Sequence, residues 1–306
     1  MKLIDQLFQQ CYKEGISQED FLQHLGAEAY RLQAIAIRDG QFPQSSQNNY
    51  QRIKDGELTI DMGFILEALY NAKRETVNTT SQEDLTQRHE DMLTAIQNDT
   101  LMELEDQKKG PVRGSEITHD SSERSFIHRL PKNRRQNGWS RGNHRFGRFS
   151  VNADMNPDLI KDLDKFCSTH KCYYKTCCPT DWDKRVDPVT VYVFEPITED
   201  LKKEFTNLIG KYVRNSRSDL NELLDGNTLI PGVTYDRDWS YDEGMKFINS
   251  LPPFLREGAL DFTSSQRKTR TAMSLGYRTT IEDFYRLYQQ YEPKFQKVST
   301  AENTSF

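Results

Sequence analysis

Residues 148–214, RFSVNADMNPDLIKDLDKFCSTHKCYYKTCCPTDWDKRVDPVTVYVFEPITEDLKKEFTNLIGKYVR, decide the fold. Phe149 and Val151 alternate with Ser150 and Asn152, the period-two pattern of a half-buried strand. Asn156-Pro157-Asp158 then opens a helix with a cap residue, a first-turn proline and a first-turn acid. Leu159, Leu163 and Phe166 form its apolar stripe. A second strand follows over about 172–177. The Cys178-Pro179-Thr180-Asp181 turn and a polar loop lead to a third strand over 189–194, Val-Thr-Val-Tyr-Val-Phe. Thr198 caps a second helix whose core face is Leu201, Phe205, Leu208 and Tyr212. Strand, helix, strand, strand, helix is most of a split βαβ sandwich, so the fold class is α+β with a small sheet flanked by helices.

Upstream the periodicity is helical. Leu3, Ile4, Leu7, Phe8 and Cys11 share one face, and Gly15 ends that helix. Ser17-Gln18-Glu19-Asp20 is a capping-box variant, and the helix it opens runs to Gly40. Residues 41–56 are loop by composition. A third helix covers 57–75, and Ser81-Gln82-Glu83-Asp84 caps a fourth that continues weakly to Glu105. The organisation expected is a helical region over 1–105, a linker and basic segment over 106–147, an α+β domain over 148–298 and a disordered tail over 299–306.

The chain has 306 residues, 35% hydrophobic and 28% charged, enough for two domains with long polar stretches. A net charge of −5 is too small to imply a partner. No apolar run approaches the ~20 residues of a membrane span. The start, MKLIDQLFQQ, lacks the apolar core of a classical signal peptide. Five cysteines form no disulfide framework and read as reduced thiols of a cytosolic protein. Four of them lie between 167 and 178 near His170, but no paired CxxC occurs, and adjacent Cys177 and Cys178 point to opposite faces of a strand. No metal and no other cofactor is expected. No glycine-rich phosphate loop occurs either, which argues against a nucleotide fold.

The sharpest compositional shift is RSFIHRLPKNRRQNGWSRGNHRFGR, residues 124–148, rich in arginine and without an acid. It reads either as an anion-binding segment or as a solvated basic loop. With no nucleic-acid fold around it, nucleic acid is not the expected partner. Further on, residues 227–235 read as a strand interrupted by Pro231-Gly232. A helix over 240–250 is stopped by Pro252-Pro253. Ser264-Ser265 caps a helix whose first turns hold Arg267, Lys268 and Arg270, a ready anion site at a helix N-terminus. Thr280 to Asp283 caps the last helix.

The succession RFSVNADMNPDLIKDLDKF, YYKT, PTDWDKRVDPVTVYV, DLKKEFTNLIGKY, IPGVTYDRD and SSQRKTRTAM resembles the Hop-A type III effector family. Relatives of that family occur as stand-alone lyase domains in lanthipeptide pathways, and the layout is similar, more distantly, to the phosphothreonine lyases. The resemblance covers about residues 144–278. It implies β-elimination of phosphate from phosphothreonine or phosphoserine in a protein or peptide. By that resemblance Lys175 matches the base, and Arg148, Arg185, Arg237 and Arg270 match phosphate-binding cations. Where the lyases carry an acidic histidine, two residues after the first-strand cation, this chain has Ser150. His144 or His128 is the candidate substitute. The resemblance also implies a bacterial cytoplasmic protein, or one secreted into a host cell without a classical signal peptide.

The residue types suit that chemistry independently. Lys175 sits among Tyr173, Tyr174, Cys177 and Cys178, and an apolar setting lowers a lysine's pKa toward the range of a useful base. Arginine forks hold phosphate bidentately. The alternative for Lys175 is an edge-strand lysine that blocks aggregation. For Arg148, Arg185 and Arg237 it is a salt bridge with the nearby aspartates. A second function class is therefore a non-catalytic protein that holds phosphate, or a host or pathway protein. A third, transfer of ADP-ribose, lacks the strand acids it would need.

Overall fold

A computed structural model of the chain describes residues 2–37, 42–74, 85–106, 109–118, 126–141, 145–213, 227–265 and 275–296. Its helices are α1 (Leu3–Cys11), α2 (Gln18–Ile37), α3 (Gln44–Lys54), α4 (Met62–Arg74), α5 (Leu85–Gln97), α6 (Pro157–Thr169), α7 (Glu199–Ile209), α8 (Tyr241–Ser250), α9 (Pro253–Ser265) and α10 (Leu275–Tyr291). Its strands are β1 (Met102–Asp106), β2 (Gly110–Val112), β3 (Phe126–Pro131), β4 (Gly147–Val151), β5 (Cys172–Cys177), β6 (Val189–Val193), β7 (Asn227–Ile230) and β8 (Val233–Arg237). The chain divides into two compact units: residues 1–73, 248–266 and 277–306, and residues 74–247 and 267–276.

The first unit is helical. Ile4, Leu7, Phe8 and Cys11 form the buried stripe of α1. Ser17 caps α2 as expected: its Oγ accepts from the Asp20 amide at 3.0 Å and donates to the Asp20 carboxylate at 2.7 Å. Phe8 packs edge-on against Phe21 and Phe284, with centroids 5.2 and 5.6 Å apart. Three expectations fail here, one of them the cap at Thr280 to Asp283, which lies inside α10. Residues 44–54, read as loop, are helix α3. Their Gln, Ser and Asn content is polar, but Ile53 is buried and the Tyr50 hydroxyl donates to Glu28 at 2.5 Å, so packing overrides composition. Ser264-Ser265, read as the start of a helix, are the last residues of α9. That helix begins at Pro253, where a proline costs no hydrogen bond.

The second unit is built on one eight-stranded antiparallel sheet in the order β2-β1-β3-β5-β6-β4-β8-β7. β6 lies between β4 and β5 and pairs antiparallel with both, so β4–α6–β5 is a split βαβ unit, as the sequence predicts. Asn156 caps α6 by accepting from the Asp158 amide at 2.9 Å, and Thr198 caps α7 by accepting from the Leu201 amide at 3.2 Å. The sheet is larger than expected because it also includes β1, β2 and β3. Met102, Leu104 and Asp106 turn inward while Glu103 and Glu105 do not, an alternation hidden in an acidic run that read as helix. Gly232, with φ +79°, makes the β7–β8 turn. A Cβ there would come within 2.5 Å of Val213 Cγ1.

α5, α6 and α7 cover one face. Phe149, Val151, Tyr174, Val189, Val191 and Val193 point into that layer and meet Ile96, Leu163 and Phe205. Phe149 stacks on Phe205 with centroids 4.2 Å apart. β3 lies wholly buried inside the segment read as a basic loop, and Arg129 is a core residue, not an anion ligand. Its Nε and Nη2 donate to the two Asp164 oxygens at 3.0 and 2.6 Å, Nη2 also donates to the Asn98 carbonyl at 2.8 Å, and Nη1 donates to the Ile96 carbonyl. The Tyr174 hydroxyl donates to Asp164 at 2.6 Å. Arg129→Ala strands a buried carboxylate, and urea unfolding should show a loss of about 3–5 kcal/mol. An Arg129→Met/Asp164→Leu double variant should recover most of it. A single variant as stable as wild type would show that the cluster holds nothing together.

Candidate functional site

Because successive strand residues face opposite sides, β5 sends Cys172, Tyr174 and Thr176 toward the helices and Tyr173, Lys175 and Cys177 to the other face. On that other face Lys175 stands directly across from His128 of β3 and Thr190 of β6. Thr190 is in turn opposite Ser150 of β4, and Ser150 is opposite Thr234 of β8. The adjacent row runs Tyr173, Tyr192, Arg148, Asp236 across β5, β6, β4 and β8. Lys175 is therefore an interior-strand residue, not an edge lysine, and its neighbours come from elements up to about a hundred residues apart in sequence.

Lys175 is half-buried, with its Nζ 3.8 Å from the centroid of the Phe126 ring. The Arg185 guanidinium lies 4.5 Å from the same ring, so two cations share one aromatic face region. Among the described residues, His128 Nδ1 and Thr190 Oγ1, on either side of Lys175, are buried without a hydrogen-bond partner. Buried polar atoms are usually satisfied, and each exception calls for an explanation such as a bound water or ligand; Asn133, Trp139, Asn152 and Arg185 supply the other such atoms among the described residues. Burial, reinforced by Arg141 and Lys175, pushes the His128 imidazole down to about 3, so it is neutral near pH 7. Burial alone would raise the Tyr192 phenol. Lys175, Arg148 and Arg145 outweigh it and hold the phenol below its ordinary value. The Arg145 and Arg148 guanidiniums sit 4.9 and 5.3 Å from the Tyr192 ring centroid.

The structure brings Lys175, Arg148 and Arg185 to this face, each with a carboxylate or ring for company. Arg148 Nη2 donates to Asp238 at 2.7 Å, and Arg145 pairs with the other Asp238 oxygen. Arg185 donates to Asp187 at 2.9 Å. Arg237 goes elsewhere. It is paired with Gly147, whose strand position belongs to the helix-covered face, and it donates to Glu243 at 2.7 Å while largely exposed. Arg270 and His144 lie outside the described residues, as do Arg267 and Lys268. Two more arginines of the basic segment pair with acids of β1: Arg134 with Glu103 and Arg141 with Glu105, both at 2.6 Å.

The cysteines contribute no nucleophile. All five are buried thiols, and burial raises Cys167 and Cys177 well above the ordinary thiol range. Among the described residues no three His, Cys, Asp or Glu side chains form a metal-binding group. No described helix is long and apolar enough to cross a membrane. Trp182 is fully buried, its indole donating to the Ala153 carbonyl at 2.8 Å, which makes it a packing residue. Sequence reasoning missed Tyr192, Arg145 and Phe126 as neighbours of Lys175. For Tyr192 a signal existed: in Val-Thr-Val-Tyr-Val it alternates onto the same face as Thr190.

No protein-family model matches the chain, and no curated protein matches it. Among solved structures, the effector protein from Pseudomonas syringae pv. tomato strain DC3000 aligns over 78% of this chain and 95% of its own, at 13% identity and a TM-score of 0.44. The effector protein from Pseudomonas syringae pv. syringae strain 61 aligns over 88% of this chain and 93% of its own, at 11% identity and a TM-score of 0.39.

His128 makes a pH prediction. The unfolded chain takes up a proton at this histidine near 6.5 and the folded chain only near 3, so between those values the unfolded state binds more protons. Stability contributed by neutral His128 is complete above 6.5 and is lost as pH falls toward 3. Denaturation midpoints measured across that window should fall more steeply for wild type than for His128→Asn. Parallel slopes would refute the assignment.

Proposed function

We propose that the Lys175 row is the active site of a lyase that eliminates phosphate from phosphorylated threonine or serine in a polypeptide, in a bacterial protein of effector or pathway type. The observation that carries this reading is a half-buried amine between two buried, unpartnered polar atoms, with Arg185 and Lys175 on one ring and Arg148 and Arg145 beside Tyr192. The unprotonated Lys175 amine takes the proton from the substrate Cα. That bond's electron pair forms the Cα=Cβ double bond, the Cβ–O bond breaks, and its electrons leave with the phosphate. The leaving oxygen needs a proton. Ser150 cannot supply one as the lyase histidine does, and His128 is neutral. The Tyr192 phenol, held below its ordinary value, is the described group on this face whose acidity suits the task. Arg148 and Arg185 hold the phosphate oxygens.

A second reading has its own support: a protein that binds phosphorylated or acidic partners without turnover. Arg148 and Arg185 already engage Asp238 and Asp187, and a serine occupies the position of the lyase histidine. Incubation with phosphothreonine peptides, followed by mass spectrometry for loss of phosphoric acid, separates the two. The lyase reading expects product from wild type and turnover lowered by about 10²–10⁴-fold in Lys175→Ala, with Tyr192→Phe impaired mainly in kcat. Equal behaviour of wild type and Lys175→Ala ends it. Saturable phosphopeptide binding without product would move the assignment to the second reading.

A further inference from the structure

A concavity of about 570 Å³ lies along β1 and β2 and the turn that follows β3. That volume is in the range of ligand pockets. Its floor is the backbone of β1 and β2 with the side chains of Pro111 and Leu130, since Met102, Leu104 and Val112 turn toward the helix-covered face. Its walls are charged, with Arg113, Lys132, Arg134, Arg135 and Arg141 against Asp99, Glu103 and Glu105. Glu103 and Glu105 hold Arg134 and Arg141, which leaves Arg113, Lys132 and Arg135 against Asp99 alone. Hydrogen bonding from Arg134, with the charges of Arg135 and Lys132, keeps the Glu103 carboxyl below its ordinary range, as cations gathered over one stretch of wall would.

We propose that this cleft docks an extended acidic segment of a polypeptide. Charge complementarity selects the sign: carboxylates on the guest meet Lys132, Arg135 and Arg113. Leu130 and Pro111 between the charged walls admit a chain that sets an aliphatic side chain between acids, because alternate residues of an extended segment face opposite ways. The lining has no aromatic side chain, so it offers no platform on which bases of single-stranded nucleic acid could stack. A lone phosphate is a poorer fit, since the Arg134 and Arg141 forks are already held by carboxylates and the remaining cations are spread along the wall.

The cleft stands independently of the lyase reading, but the register links them. Glu105 in its wall is opposite His128, and His128 is opposite Lys175. Two strand spacings are about 10 Å, the reach of about three extended residues. If Lys175 acts on a phosphorylated residue, the docked acid belongs to the same polypeptide, about that far along the chain.

The test is fluorescence anisotropy on the full chain with a fluorescein-labelled peptide of alternating glutamate and alanine. Saturable binding that weakens with added salt is expected, with no binding of the matching lysine–alanine peptide. Lys132→Glu/Arg135→Glu should bind about tenfold more weakly with unchanged circular dichroism. Should that variant misfold, Arg135→Gln should still bind several-fold more weakly. Lys175→Ala should bind like wild type, so a failed lyase assay leaves this site standing. No binding of the acidic peptide, binding unaffected by either cleft variant, or tighter binding of an oligothymidine that the same variants abolish would each overturn the proposal.

Discussion

The alternation of side chains along β5 is the constraint on which the rest of the second unit depends. Cys172, Tyr174 and Thr176 point into the helical layer, and Tyr174 ties that layer to Asp164 and Arg129. That commitment leaves Tyr173, Lys175 and Cys177 no choice of face. A slip of one residue would put an amine into the packing of Leu163 and Phe205 and bring Tyr174 out, so register is fixed by the cost of burying the wrong group. Once β5 is fixed, antiparallel pairing carries the polar row outward to His128 on one side and to Thr190, Ser150 and Thr234 on the other.

The second unit concentrates positive charge and then answers it locally. Arg129 is fully buried and survives there because two carboxylate oxygens and two main-chain carbonyls receive its N–H groups. Such a cluster adds specificity more than net stability, since desolvating both ions consumes most of the attraction between them. Around the Lys175 row the same compensation is incomplete. The three cations near Tyr192 outweigh the burial that would raise its phenol, although Asp238 pairs with Arg145 and Arg148 and Asp236 stands beside Arg148.

Much of this fold could be read from local signals because those signals were also the tertiary ones. Asn156 and Thr198 cap helices whose apolar stripes match the sheet, and the 148–194 strands alternate as they pack. Where local and tertiary preferences separate, the reading fails. Acidic residues masked the alternation of β1, polar residues masked the helicity of α3, and the arginine-rich stretch masked a buried strand, β3. At the site, the sequence singles out Lys175 and Arg148 through the family resemblance, not through their own flanking pattern. It could not show that His128 faces Lys175, because that neighbourhood exists only after β3 and β5 pair across an intervening helix and strand. Arg237 illustrates the converse: a cation at the right point in the chain, one residue out of phase with Asp236, faces the other way.

Whether carboxylate-held arginines can still receive a phosphate depends on which partner of each pair is hidden. Asp238 and Asp187 are the buried partners, with side chains 0% and 1% exposed, while Arg148 and Arg185 keep 14% and 13% of theirs. The carboxylates therefore back the guanidiniums from the interior, fixing their planes and leaving an edge outward. Arg237 and Glu243 are both largely exposed, the arrangement of a surface pair that contributes little. Backing a guanidinium with a buried carboxylate lowers the ordering cost when an anion arrives, because the side chain has already lost its rotamer freedom. On that physical distinction the Arg148 and Arg185 guanidiniums are held in place from the interior, whereas Arg237 is not.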